Sequence, residues 1–236
     1  LSFKYLPRSY LENLNLLMSY TKKKRIPKNP LIVVTASSHI HDDFFKIWYG
    51  LIKEKFINTK LFVLQYGSQY NLKRDDKTKL TYDLCDKKLN WGSCTLNKKK
   101  GIFIGANLNL KINKKESDKF KILYVCNDFP LYYFKNSSIK FGPNYLKHHE
   151  LQETFLKNLS KNIKKKIYIK PYFYDYGWNL IKRIKKINKE SKVISESNIG
   201  KLYGKYDLII TSSPTTTFLE SVYLNIPVIT LFKKNI

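Results

Sequence analysis

The chain has 236 residues, 43% of them apolar, which is ample for a core and excludes intrinsic disorder. Its 44 lysines and arginines face only 18 acids, a formal charge of +26 that would suit a polyanionic partner. Only Arg8, Arg25, Arg74 and Arg183 are arginine, a bias towards lysine that an AT-rich genome enforces, but the shortage of acids still favours an anionic substrate, nucleotide or membrane face.

Along the chain, short β-rich runs alternate with amphipathic helical patterns, the signature of parallel strands joined by helical crossovers. A strand is predicted over 31–37 (LIVVTAS), then a helix over 42–56 with Asp42 as its N-cap, then a strand over 60–67. The segment 71–119 is less regular, with weak strands near 88–91 and 101–106. A second series starts with a strand over 119–126, followed by a helix over 144–163, a strand over 165–172 and a helix over 177–190. A strand over 207–213, a helix from TTTFLESVYL and a strand over 227–232 complete it. The strands are mostly continuous apolar runs, as expected for strands buried on both faces. The fold class is therefore α/β with parallel strands, in two series divided as residues 1–118 and 119–236. Because the chain starts at Leu1 and stops directly after a predicted strand, the fold is expected to be incomplete at one or both termini.

Cys85, Cys94 and Cys126 are too few and too irregularly spaced for a disulfide framework or a Cys-x-x-Cys metal site, and they fit a reducing cytoplasm. No apolar run reaches the roughly 18 residues that span a bilayer, and the first residues of the sequence do not show the charged n-region and apolar h-region of a secretory leader. The lysines are scattered over every helix and loop, without an aromatic-basic repeat, which speaks against nucleic acid.

The stretch TSSPTTTFLES (211–221) sets Ser212, Ser213, Thr215, Thr216 and Thr217 between a strand and a helix. There, unpaired backbone N–H groups and the helix dipole favour an anion, and the hydroxyls add donors, so a diphosphate is the expected occupant. Glu220, one turn on, could accept hydrogen bonds from ribose hydroxyls. The plainer alternative is that Ser213 or Thr215 is an N-cap and Glu220 completes a capping box, but one hydroxyl suffices for a cap.

His39 and His41 follow the first strand, on the edge where α/β sheets place ligands; either, or Asp42 or Asp43, could deprotonate an acceptor hydroxyl. An H-x-H pair on a loop also fits plain solvation. No further His or Cys completes a metal site, so no metal is expected. Lys170 ends a strand, and its plain reading is a solvated lysine. Asn127 and Asp128 follow the strand at 119–126 and could contact phosphate or form an ordinary turn. His148 and His149 read as helix surface or a domain contact, Gly177 as a turn residue with an unusual backbone angle, and Trp178 as core packing.

The pattern Asp207, Pro214, Thr217-x-x-Glu220 and Asn225-Ile226-Pro227-Val228 resembles the nucleotide-sugar-binding helix of GT-B glycosyltransferases. More narrowly, LPRSYLENL, LIVVTASS, LFVLQYGSQYN, DKKLNWGS, IYIKPYFYDYGW and DLIITSSPTTTFLESVYLNIPVITLF, spread over nearly the whole chain, resemble a transferase family of O-antigen and surface-polysaccharide gene clusters. The resemblance implies two Rossmann-like domains facing a cleft, the N-terminal one on the acceptor side and the C-terminal one on the donor side, with a basic residue at Lys170 aimed into the cleft, where it could neutralise a departing phosphate. Related sequences read QHGG where this chain has Gln65-Tyr66-Gly67-Ser68, so a histidine is missing there, and WGS replaces WGW after Asn90.

Together these readings describe a transferase that moves a sugar or related group from a nucleotide-sugar donor to a polysaccharide or lipid-linked acceptor, without a further cofactor. It would act in the cytoplasm, with peripheral contact to the anionic inner face of the membrane. A nonenzymatic basic module for nucleic acid or membrane, and a degenerate transferase scaffold, are the competing readings.

Overall fold

A computed structural model describes residues 8–23, 26–65, 67, 76–92, 97, 99–105, 110, 112, 119–131 and 144–231. The chain forms two compact units, Leu1–Asn107 and Leu108–Ile236. The division falls before the expected 118/119 boundary because Leu110 and Ile112 pack into the apolar layer of the second unit.

The first unit is a four-stranded parallel sheet of β1 (Ile32–Thr35), β2 (Lys60–Leu64), β3 (Lys87–Asn90) and β4 (Gly101–Phe103), in that order. Val33 pairs with Leu61, and Val63 with Lys88. The core is Val33, Leu61, Val63 and Cys85, against Phe45, Trp48 and Tyr49. β1 is not buried on both faces: Val33 and Thr35 point in, whereas Ile32 and Val34 are half exposed. A continuous apolar run cannot distinguish the two cases.

Helices α1 (Arg8–Leu11), α2 (Leu14–Lys23), α3 (Ser38–His41), α4 (Asp43–Lys55) and α5 (Asp76–Leu84) complete the described part of this unit. Of these only α4 is legible beforehand. Asp42 caps it, its side chain accepting from the Phe45 N–H at 3.1 Å. α5 lies inside the segment expected to be irregular, where charged residues mask the helical period. Tyr66, Ser68 and Cys94 lie outside the described residues.

The second unit is a five-stranded parallel sheet of β5 (Ile122–Val125), β6 (Ile167–Lys170), β7 (Lys192–Val193), β8 (Leu208–Thr211) and β9 (Val228–Thr230). The order is β7-β6-β5-β8-β9, so β5 is central and the chain reverses its direction of travel between β5 and β8. Leu123 pairs with Tyr168 on one side and Ile209 on the other. One face packs Ile122, Tyr124, Cys126, Ile167 and Ile169 against Leu156 of α6 (Asn144–Asn158) and Leu180 and Ile184 of α8 (Leu180–Ile187). The other face packs Leu123 and Ile209 against Leu202, Tyr203 and Ile226.

The helix expected over 144–163 is two helices, because Ser160 starts α7 (Lys161–Lys166) by accepting from the Ile163 N–H. Lys165 and Lys166 therefore belong to a helix, and β6 begins at Ile167. β7 is too short and too polar to be read in advance.

Candidate functional site

In α/β sheets, ligands bind outside the carboxyl ends of the strands where the strand order reverses. In the second unit that point lies between β5 and β8, and the structure brings together three of the expected site residues there. The Asn127 backbone N–H donates to Ser212 Oγ at 2.7 Å, and the Asn127 side-chain amide donates to Ser213 Oγ at 3.2 Å. The Ser212 N–H donates in turn to the Val125 carbonyl at 3.0 Å, so the two strand ends are laced together. Ser212 is buried and Ser213 half-buried.

Helix α9 (Thr216–Tyr223) starts directly after this junction, with Thr215 as its N-cap in extended conformation. Thr215 makes no side-chain cap bond. Thr216 and Thr217 lie in its first turn, where the early N–H groups lack intrahelical acceptors. The capping-box alternative fails, since the residue at the third helical position is Phe218. Glu220 instead accepts a hydrogen bond from the Tyr203 hydroxyl at 2.5 Å, which fixes the direction of its carboxylate. Burial, followed by that carboxylate, raises the Tyr203 phenol far above its ordinary range. No spacing in the sequence links Tyr203 to Glu220.

The loop after β5 is clamped from below. The Tyr145 hydroxyl donates to the Asn127 carbonyl at 2.7 Å, and the Trp178 indole N–H donates to the Phe129 carbonyl at 2.7 Å. Trp178 is buried, as its core reading requires. Gly177 before it has φ +96, and the Asp175 carboxylate accepts from the Gly177 and Asn179 N–H groups, closing the turn.

His149 is not on a helix surface: it is fully buried beside Tyr145 and Trp178. Burial pushes His148 and His149 down to about 4. The inward stripe of α6 runs Tyr145, His149, Gln152, Leu156, a helical spacing whose two polar members conceal it. Lys170 is buried at the end of β6, not solvated, and burial lowers its ammonium against the opposing pull of Glu196 and Cys126.

In the first unit the expected residues separate. Residues 38–41 form a helical turn, not a loop. His39 is buried within it, its Nε2 2.9 Å from the Thr81 hydroxyl, and burial followed by the nearby charges of His41, Lys88 and Lys46 lowers it to about 4. It lines a cavity of about 10 Å³ with Val63, Gln65, Thr81 and Lys88, room for roughly one water. His41 is exposed.

The Asp43 carboxylate accepts from Ser9 (2.7 Å), Tyr10 (3.0 Å) and Lys46 (3.1 Å). These bonds outweigh its burial and hold it below the usual carboxylate range, so it ties α1 to α4 and makes a poor base. Gln65 is likewise structural, donating to the Gly67 carbonyl and accepting from the Trp91 N–H. Among the described residues no cluster of three His, Cys, Asp or Glu side chains is arranged to hold a metal, and no helix is long and apolar enough to cross a membrane.

The second unit is thus a Rossmann-ordered α/β body with a polar strand-to-helix junction at its reversal point. Residues 2–236 match the LIC12162 family transferase description, and the chain belongs to that family. No curated protein sequence is significantly similar to it. Among solved structures, Acinetobacter baumannii MurG is 14% identical with a TM-score of 0.46, over 87% of this chain and 52% of that one. The lipopolysaccharide outer core galactosyltransferase WaaB is 14% identical with a TM-score of 0.49, over 94% and 62%. The chain spans less than two thirds of either protein's length.

Proposed function

We propose that this chain is a GT-B-like glycosyltransferase that moves a sugar or related group from a nucleotide-sugar donor to a surface-polysaccharide or lipid-linked acceptor, and that its second unit binds the donor. The observation that carries this reading is the joining of Asn127 to Ser212 and Ser213 at the reversal point of the sheet, directly before the N-terminus of α9. The diphosphate sits on the α9 amides with Ser213, Thr215, Thr216 and Thr217 as additional donors. Glu220, held by Tyr203, accepts from the ribose. Lys170 supplies a desolvated positive charge at the neighbouring strand end for the leaving phosphate. Family membership supports group transfer. A cytoplasmic site of action at an anionic membrane face accords with the free, buried Cys85 and Cys126 and with the +26 charge.

Isothermal titration with UDP-, GDP-, CDP- and CMP-linked sugars tests the reading. One donor class should bind, and Thr217→Ala and Glu220→Ala should each weaken it about five- to thirtyfold, the loss of one or two hydrogen bonds. Absence of binding by every donor, or unchanged affinity in both variants, defeats it.

A further inference from the structure

Next in sequence to the Asn127 junction, two ionisable side chains are buried against each other. Asp128 and His149 have side chains 1% and 0% exposed, with Asp128 Oδ1 3.8 Å from His149 Nε2. Asp128 Oδ1 accepts from the Phe129 N–H at 3.0 Å, but Oδ2 is buried without a hydrogen-bond partner, as are both ring nitrogens of His149. A buried carboxyl and imidazole each left with unused capacity is a costly arrangement that sequence-blind packing does not require. One proton between them relieves part of it: a neutral carboxyl O–H on Oδ1 donates to His149 Nε2 after a closure of about 1 Å, within side-chain rearrangement.

We propose that Asp128 and His149 are a buried proton-holding pair, and that an anion seated at Asn127 is taken up together with one proton. The inference rests on the donor-site reading for the identity of the anion. Asp128 is the next residue after Asn127, and its backbone N–H donates to the Asn127 side-chain oxygen at 3.1 Å, so the residue that carries the carboxylate is tied directly to the junction. Like charges side by side favour protonation of the one that can titrate. The proton comes from solvent, the carboxylate becomes a carboxyl, and the junction gains the charge of the anion less one.

Among the described residues, the groups that act on the carboxylate include no neutralising cation. From the loop after β6 come Asp175, which raises Asp128, the Tyr176 N–H, which lowers it, and the Tyr172 phenol; from α6 comes the Tyr145 hydroxyl, and from the end of β5 the Cys126 thiol. Burial dominates and lifts Asp128 to about 6. His149 faces His148 and, from α8, Arg183, whose guanidinium is engaged by Glu153 at 2.6 Å. Both disfavour a charged imidazole, so the proton resides on the carboxyl.

The probes are sugar diphosphodiesters such as UDP-glucose, which do not themselves titrate between pH 6 and 8, and sulfate. Calorimetry of each donor that binds, in buffers of different ionisation enthalpy at pH 7, should report uptake of most of one proton. Affinity should fall up to tenfold per pH unit above the midpoint. Asp128→Asn, a permanently neutral mimic, should keep binding but lose both effects. Independently of any donor, the Asp128 carboxyl carbon signal should titrate at higher pH in sulfate than in chloride of equal ionic strength, and His149→Gln should shift that midpoint where a merely structural residue would not. Donor binding with no proton uptake, an unmoved Asp128 midpoint in sulfate, or linkage that persists in Asp128→Asn overturns the inference while leaving donor binding intact. If no donor binds but the sulfate shift is present, the pair stands and the donor reading falls.

Discussion

Acidification should loosen both units well above the range where ordinary carboxylates titrate, and the first unit offers the cleaner measurement. His39 is buried and held at about 4, against about 6.5 when exposed. A histidine depressed in this way contributes stability that is full above pH 6.5 and is lost as pH falls towards 4, because the unfolded chain takes up the proton first. Going from pH 7 to pH 5 removes about 2 kcal/mol for such a group. In the second unit His148 and His149 act in the same direction. Asp128 acts in the opposite one, since a carboxyl raised to about 6 favours folding as protons are added. The net loss there is about 2 to 3 kcal/mol over the same interval. Asp43 and Asp86, both held below the ordinary value, stay ionised in either state at pH 5 and do not contribute. Urea unfolding read from amide NMR signals of Leu61 and Val63 for the first unit, and of Leu123 and Tyr124 for the second, separates the two. His39→Gln, which can keep the hydrogen bond to Thr81, should leave the first unit with little change between pH 7 and pH 5. A variant as acid-sensitive as the unaltered chain, or a first unit more stable at pH 5 than at pH 7, would refute the reasoning.

Ile169 is fully buried on the α6 and α8 face of β6, so Ile169→Ala should cost about 2 to 5 kcal/mol in the urea midpoint of the second unit and leave the first unit unmoved. Gly177 has φ +96, and an added Cβ would meet the Leu131 side chain at 3.4 Å. Gly177→Ala should therefore destabilise the second unit by about 1 to 3 kcal/mol and shift the Trp178 fluorescence, whereas Gly50→Ala in α4, whose Cβ would meet nothing within 4 Å, should not destabilise the first unit.

The alternation of apolar runs with helical patterns carries the architecture, because parallel strands such as IVVT, KLFVL and LIIT announce themselves by continuous branched and aromatic residues. The hydroxyl-rich junction was legible for the same reason: five hydroxyls exceed what one cap needs, and Asn127 is placed by the same strand-end logic. What lay hidden were pairings across long sequence separations. Nothing local joins Tyr203 to Glu220, Asp43 to Ser9 and Tyr10, or His149 to Asp128. The histidines misled because residue type alone suggests polarity, and only the stripe from Tyr145 to Leu156 shows which way His149 points. Lys88 is concealed in the same manner, a buried lysine directly after Lys87.

The central position of β5 also orders events in time. Asn127 and Ser212 are 85 residues apart, and Lys121 and Asp207, bonded at the other end of the same strand pair, are 86 apart. On a chain emerging from the ribosome, β5 can pair with β6 long before β8 exists, and non-local parallel pairing is slow to form. The strand that anchors the junction is thus made early and left with one open edge until β8 arrives. Closing that edge and creating the polar junction are one event, so any folding intermediate that exposes β5 also lacks the Asn127–Ser212 junction.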